Sequence, residues 1–281
     1  MIATALRQVG AVGLVIGIAA AAPCAHAADA SAWDGDARSA VRLIAGAADG
    51  ATLRAGVEIR LAPGWKTYWR YPGDSGVPPR FDFAHSSNVK SATLSWPSPR
   101  RFVDGSGQSI GYEGDAVFPL RIVANDPTQP VVLRLKLDYA VCEKLCVPAD
   151  GSVELPLEAA AVAPANDPVL AAADARVPKP AAIGDHASLA IRSVQKEPGA
   201  RFARVIVDVA APDGEAVDLF AEGPTPEWAL PLPSPITGGP PGLHRFAFEL
   251  DGLPPGQSAQ DAVLTLTAVA GASAIEVKAG L

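Results

Sequence analysis

Two cysteines that lie four positions apart, Cys142 and Cys146, are the residues of this chain best suited to chemistry. On a continuous strand their Cα atoms would be ~13 Å apart, because each residue advances a strand by ~3.3 Å. A disulfide tolerates only ~4.4–6.8 Å between Cα atoms. The chain must therefore turn between the two residues if they are to pair.

The residues around the cysteines predict a β-hairpin. Apolar and polar residues alternate from Leu133 to Tyr139, and Pro148 disfavours a helix just after the second cysteine. We therefore expect strands over Val131–Cys142 and Cys146–Leu157, joined by the loop Glu143–Leu145. In this register Cys142 points away from the core, and a one-residue slip would bury both sulfurs.

Three interpretations of the pair stay open at this point. The first is a static disulfide, which would contribute only about 2 kcal/mol because it closes a short loop. The second is thiol–disulfide exchange, which suits an accessible pair that stabilises little. The third is a metal site such as a copper site. Against it, the three histidines that follow the first 27 residues are scattered, and the only methionine is Met1. These histidines are His85, His186 and His244.

The first 27 residues have the features of a signal peptide. Arg7 precedes an apolar run over Val9–Ile18, and Ala25-His26-Ala27 provides a small-x-small cleavage pattern. Cleavage would remove Cys24 and leave a soluble protein in the periplasm, where disulfides persist. The net charge of −7 argues against a nucleic-acid partner.

The rest of the sequence predicts an all-β protein. Frequent short alternating segments between Gly and Pro residues predict an immunoglobulin-like β-sandwich over 38–160. A short Ala/Pro-rich linker over 161–187 follows, with a short helix near Pro168–Val177 capped by Asp167. We expect a second small β-sandwich domain over 188–281. The stretch Gly105–Gly111 is interpreted as a flexible loop, since it lacks the lysine of a phosphate loop.

Four segments have a distinctive sequence: Pro63–Pro79, Gly111–Leu120, Asp138–Pro148 and Asp218–Pro224. They resemble the N-terminal periplasmic domain of the DsbD family of protein-disulfide reductases. The cysteine segment with its flanking tyrosine and proline is the most specific of them. The segment of the second half, with Trp228, resembles the longer ScsB-like branch of the family.

The resemblance implies a function for the cysteine pair. Cys142 and Cys146 would take electrons from a membrane-embedded donor and pass them to oxidised thioredoxin-like periplasmic proteins, without a cofactor. Tyr112 and Glu113 would form a shielding loop over the pair, and Tyr139 and Lys144 would contact the substrate. Plausible pathways by family analogy are cytochrome c maturation, disulfide isomerisation and copper-stress repair.

Two features depart from the family pattern. The best-known members space their cysteines more widely, and this sequence contains neither a membrane-spanning electron channel nor a thioredoxin-like domain. We therefore expect the electron donor to be a separate chain. Lys144 lies between the cysteines beside Glu143, so the sequence does not assign the attacking thiol, for which we favour Cys146.

Overall fold

The computed structural model describes residues 29–74, 76–104, 107–157, 165–260 and 262–281. The predicted signal peptide therefore lies outside the described residues. Almost all regular structure in the described ranges is β-strand, with one short helix, which confirms the all-β prediction.

The first eleven strands form the N-terminal sandwich, which covers residues 29–157. In chain order they are β1 (Asp34–Gly35), β2 (Ser39–Ala45), β3 (Thr52–Leu61), β4 (Lys66–Gly73), β5 (Arg80–Asp82), β6 (Val89–Leu94), β7 (Arg100–Asp104), β8 (Gly107–Glu113), β9 (Ala116–Ala124), β10 (Val131–Cys142) and β11 (Cys146–Leu157). One sheet has the order β1-β2-β3-β9-β6. The other has the order β11-β10-β4-β8-β7, with β5 paired to β10.

Alternating apolar residues of the two sheets meet in one core. Phe118 of the first sheet and Tyr112 of the second lie edge to face, with ring centroids 5.2 Å apart. Leu133, Leu135 and Leu137 of β10 point into the same core, as the period-2 pattern predicts. The N-terminal sandwich therefore has the immunoglobulin-like architecture that was expected.

A helix, α1 (Asp167–Ala175), lies between the two sandwiches and packs on the first. Its buried Leu170 contacts Gly46 and Gly56 of the N-terminal sandwich. Asn166, rather than the predicted Asp167, occupies the cap position. The Asp167 carboxylate instead accepts a hydrogen bond from the backbone N–H of Ala47, at 2.8 Å.

The remaining eight strands form the C-terminal sandwich, which covers residues 179–281. They are β12 (Lys179–Pro180), β13 (Ala190–Glu197), β14 (Arg204–Ala210), β15 (Val217–Glu222), β16 (Ser234–Ile236), β17 (His244–Glu249), β18 (Val263–Ala270) and β19 (Ser273–Gly280). Two four-stranded sheets, β12-β19-β18-β15 and β13-β14-β17-β16, enclose a second core that contains Val207, Leu266 and Trp228.

The structure corrects the expectation of a flexible loop over Gly105–Gly111. Residues 107–111 belong to β8, which pairs with both β4 and β7, while residues 105 and 106 lie outside the described ranges. Glycines hid this strand, because they carry no side chain that could show alternation.

No helix in the described part of the chain has the length and the hydropathy that a membrane crossing requires.

Candidate functional site

The cysteine pair closes the tip of the hairpin formed by β10 and β11. The two strands are antiparallel over their whole length, and Cys142 and Cys146 are their last facing pair. The sulfurs form a disulfide, with the Cα atoms 4.0 Å apart. Glu143, Lys144 and Leu145 form the loop, and Leu145 is 73% exposed. The predicted hairpin, its loop and its register are confirmed.

Both sulfurs lie on the outer face of the sheet. Val141 and Tyr139 are buried in the core, whereas Cys142 is half-buried and Cys146 is exposed. Since successive residues of a strand point to opposite faces, this is the outward parity that the sequence predicted. Reagents and partner proteins can thus reach the disulfide first at Cys146.

A charged row crosses the same face of the sheet beside the disulfide. Lys66 of β4 faces Cys142, and Glu113 of β8 faces Lys66 on its other side. The Lys66 Nζ atom lies 4.7 Å from the centre of the Phe102 ring. Since β7, which carries Phe102, lies two strands beyond β4 on the side away from β10, the ammonium of Lys66 points away from the sulfurs.

Tyr68 is the aromatic residue that contacts the disulfide. Its hydroxyl oxygen is 3.1 Å from the Cys146 Sγ atom, and since a disulfide sulfur carries no hydrogen, the hydroxyl donates. Gly76 packs against the Tyr68 ring, and Tyr68 is 4% exposed. Next to it, the hydroxyl of Thr67 donates to the carbonyl oxygen of Ala140 at 3.0 Å and fastens β4 to β10.

Sequence reasoning did not select Tyr68 or Lys66 as site residues. The alternation within Lys66–Tyr71 does place them together on one face of β4. Their proximity to the sulfurs depends on the pairing of β4 with β10, whose contacting residues are more than seventy positions apart. A single sequence shows no local signal for such a pairing.

The two residues of the predicted shielding loop lie on opposite faces of β8. Glu113 is exposed on the disulfide face, in the row of Lys66. Tyr112 faces the core, where its hydroxyl donates to the carbonyl oxygen of Pro97 at 2.8 Å and burial raises its pKa. The structure therefore does not bring Tyr112 to the sulfurs, because its neighbours in the register, Thr67 and Val141, also point inward.

The two predicted substrate contacts also differ in exposure. Lys144 is exposed at the hairpin tip. Tyr139 is buried, and its hydroxyl donates to the Ser39 Oγ atom at 2.9 Å. Burial is the main cause that raises the pKa of Tyr139. A substrate-binding role for both residues stays a prediction.

A group of three or more His, Cys, Asp or Glu side chains placed to hold a metal ion does not occur among the residues that the structure describes.

Comparisons with known proteins agree with this site. Residues 36–158 match the family described as thiol:disulfide interchange protein DsbD, N-terminal, so the match covers the cysteine hairpin and the N-terminal sandwich but less than half of the chain. The crystal structure of the N-terminal periplasmic domain of ScsB from Proteus mirabilis is similar, with a TM-score of 0.69 at 21% identity. The alignment covers 90% of this chain and 98% of that one. At this identity the likeness establishes the fold of both sandwiches and nothing more. A search of curated proteins returned no match.

Proposed function

We propose that this chain, whose residues 36–158 match the DsbD N-terminal family, is a periplasmic thiol–disulfide interchange protein. It passes reducing equivalents through Cys142 and Cys146 to oxidised partner proteins. The observation that carries the proposal is the accessible disulfide at the hairpin tip. Cys146 is exposed, and its sulfur accepts a hydrogen bond from the hydroxyl of Tyr68. A disulfide that closes so short a loop contributes only about 2 kcal/mol to stability, so exchange is a better use for it than support.

The exchange begins with the reduced pair. The Cys146 thiolate attacks one sulfur of the partner disulfide, forming a Cys146–partner disulfide while the partner's second sulfur leaves as a thiolate. The Cys142 thiolate then attacks Cys146, which restores the internal disulfide and releases the partner as a dithiol. Two electrons have moved from the pair to the partner. Cys146 is assigned the attacking role because it is the more exposed of the two.

The surroundings of the sulfurs support these two roles. The hydroxyl of Tyr68 can donate to the negative charge of a Cys146 thiolate, since it already donates to the same atom in the disulfide. The resolving role of Cys142 is supported by its disulfide bond to Cys146 and by its lower exposure. The Lys66 ammonium lies over Phe102 of β7, away from Cys142, and is assigned no role in the exchange.

The proposed partners follow from this function. A membrane-embedded donor on a separate chain reduces the pair, and thioredoxin-like periplasmic proteins accept the electrons. Glu113 and Lys144, exposed beside the sulfurs, are proposed to contact these partners. The predicted contact of Tyr139 with a partner also remains a proposal, although its side chain is buried under the hairpin. A shielding role is proposed for Glu113, which is exposed on the disulfide face, whereas Tyr112 faces the core and does not reach the sulfurs.

A redox titration tests the proposed function. The oxidised protein is equilibrated with glutathione buffers of graded ratio, and the fraction of reduced pair is read from the mass added by a thiol-alkylating reagent. We expect a midpoint between about −180 and −270 mV, in the range of proteins that exchange disulfides. We also expect the reduced protein to reduce an oxidised thioredoxin-like protein.

The opposite outcome would support a static disulfide. A midpoint below about −300 mV, together with no transfer to the thioredoxin-like protein, is typical of structural disulfides and would overturn the proposal. The double variant Cys142→Ser/Cys146→Ser is the control, because it must show no alkylation at these two positions and no transfer.

Changing Tyr68 to phenylalanine tests the proposed role of its hydroxyl. The variant loses one hydrogen bond to the thiolate, worth about 1.4 kcal/mol or a factor of ten in thiolate population. A more basic thiolate is also more nucleophilic, and this offsets about half of the effect on a logarithmic scale. We therefore expect glutathione exchange at pH 7 to be about threefold slower.

Stopped-flow measurement of the exchange rate against pH checks this prediction. The profile of Tyr68→Phe should move to higher pH and, once both thiols are fully ionised, rise about threefold above that of the wild type, because its thiolate is more nucleophilic. Ser193→Ala is a matched control, because it removes one hydroxyl hydrogen bond, to Asp208, in the C-terminal sandwich. An unchanged profile for Tyr68→Phe would remove Tyr68 from the mechanism.

A further inference from the structure

Strand β4 contacts two different parts of the molecule. Its first residues contact the disulfide hairpin. Lys66 pairs with Cys142 in the strand register, Thr67 donates a hydrogen bond to Ala140, and Tyr68 donates one to Cys146. The residues that follow at once, Trp69, Arg70 and Tyr71, contact the C-terminal sandwich. One strand thus connects the redox site to the second sandwich.

Arg70 makes the strongest of these contacts. Its guanidinium donates to Glu222 of β15 at 2.9 and 2.7 Å, and to Glu276 of β19 at 2.5 Å. All three side chains are at most 27% exposed. Burial disfavours the charge of Arg70, but the two carboxylates hold its pKa above the ordinary value. Bidentate pairs of this kind fix geometry as well as adding stability.

The residues on each side of Arg70 strengthen the junction. The Trp69 ring lies 5.8 Å from that of Phe220, and both side chains are fully buried. The hydroxyl of Tyr71 donates to the carbonyl oxygen of Leu230. Three successive residues of β4 are therefore anchored in the C-terminal sandwich.

The backbone of β4 needs this support. Its regular pairing with β8 is interrupted between Tyr68 and Gly73, so the ladder does not hold the stretch that follows Tyr68. The contacts of Arg70 and its neighbours with the C-terminal sandwich lie within this interruption. These side-chain contacts hold the stretch of β4 in which the pairing with β8 is interrupted, immediately after Tyr68, the residue that contacts Cys146.

Two further contacts keep the sandwiches from separating. Arg101 of β7 pairs with Asp218 at 2.8 Å and donates to the carbonyl oxygens of Leu219 and Pro233. The described part of the linker contacts both sandwiches, because α1 packs on the N-terminal sandwich while β12 adds a parallel strand to β19, beside Glu276. The C-terminal sandwich is thus docked rather than tethered.

We propose that Arg70 is a positioning residue for the disulfide, through which the C-terminal sandwich holds β4, and with it Tyr68, against Cys146. The second sandwich is then a fixed support that sets the reactivity of the cysteine pair. This inference rests on the proposed function, and it adds to it a role for the half of the chain that carries no cysteine.

Changing Arg70 to methionine tests the inference. We expect glutathione exchange to become about threefold slower at pH 7, as for Tyr68→Phe, because the same hydrogen bond is weakened. The pH profile of Cys146 alkylation in the reduced protein should also move to higher pH. Arg70→Lys, which keeps the charge and can still reach one carboxylate, should recover part of both effects.

Arg42→Met is the matched control. Arg42 pairs with Glu58 at 2.6 Å in the other sheet of the N-terminal sandwich, and its side chain is 28% exposed against 26% for Arg70. This variant also loses a half-buried ion pair, but it should keep the wild-type exchange rate and pH profile. Equal profiles for Arg70→Met and the wild type would overturn the inference. Equal slowing by the two variants would overturn it as well.

Hydrogen exchange separates a failure of this inference from a failure of the proposed function. In the oxidised protein, Arg70→Met should speed the exchange of the amides of residues 66–68 and 140–142, whereas Arg42→Met should not. This measurement requires no redox activity. If the wild type fails to exchange with glutathione while these amides respond, the proposed function is wrong and the support of β4 stands. If Arg70→Met left the exchange rates of these amides unchanged while the wild type exchanged with glutathione, only the inference that Arg70 supports β4 would be refuted. Glu222→Gln provides the same test if Arg70→Met does not fold.

Discussion

Replacing Cys142 with serine is expected to stop catalytic turnover and to leave Cys146 joined to its partner in a stable mixed disulfide. The attack by Cys146 remains possible because this sulfur is exposed, but the thiol that resolves the intermediate is missing. Release in the forward direction then depends on a thiol from solution, whose concentration is far below that of a group held next to the bond. The partner's second thiolate can only reverse the attack, and alkylating it preserves the mixed disulfide. We expect turnover to fall at least about a hundredfold.

Non-reducing electrophoresis and mass spectrometry check this result with an oxidised thioredoxin-like protein as the partner. The adduct should disappear on adding dithiothreitol. Cys146→Ser is the matched control, because it leaves the half-buried Cys142 as the only thiol of the pair, and should trap several times less partner under the same conditions. More adduct with Cys146→Ser than with Cys142→Ser would exchange the roles assigned to the two cysteines.

The hairpin that carries this chemistry could be predicted from the sequence for physical reasons. The alternation from Leu133 to Tyr139 fixes which face is buried, and the limit on disulfide length requires a turn within the three residues after Cys142 if the cysteines pair. Both constraints are local. The structure reproduces the two strands, the loop and the outward direction of Cys142.

The surroundings of the pair could not be predicted in the same way. Tyr68 contacts Cys146. In the sequence it is only one of three residues, with Lys66 and Arg70, on the more polar face of a strand rich in aromatic residues. Its role depends on the pairing between β4 and β10, which are distant in sequence. Likewise, Tyr112 has a suitable side chain for a cover, but the parity of β8 directs it into the core.

Strand β8 shows most clearly what the sequence concealed. Its glycines were interpreted as a flexible loop, yet Gly111 faces Tyr68 across the sheet. A Cβ atom at this position would overlap the carbonyl oxygen of Thr67 and lie 2.9 Å from both Thr67 C and Tyr68 Cα. The atoms it meets are backbone atoms, which cannot move aside by changing a rotamer. Glycine therefore lets β8 approach β4 closely behind the disulfide.

Changing Gly111 to alanine should consequently lower the free energy of unfolding by about 3 kcal/mol, the upper end of the range for overpacked sites. To fit the methyl group, β4 has to move away from β8 at Thr67 and Tyr68, which hold Ala140 and Cys146. We therefore expect slower glutathione exchange in the fraction that remains folded. Urea unfolding of the oxidised protein measures the stability, and the exchange rate is then followed below the transition.

Gly114→Ala distinguishes this close approach from a general intolerance of alanine in the same stretch of the chain. Gly114 has a φ of 74°, and nothing lies within 4 Å of the position where its Cβ would be. Its replacement should cost only about 1 kcal/mol, from the left-handed backbone, with no effect on exchange. If the two variants lost equal stability, the close approach of β8 to β4 at Gly111 would not contribute to stability. The claim that this packing fixes the position of Tyr68 would then be wrong.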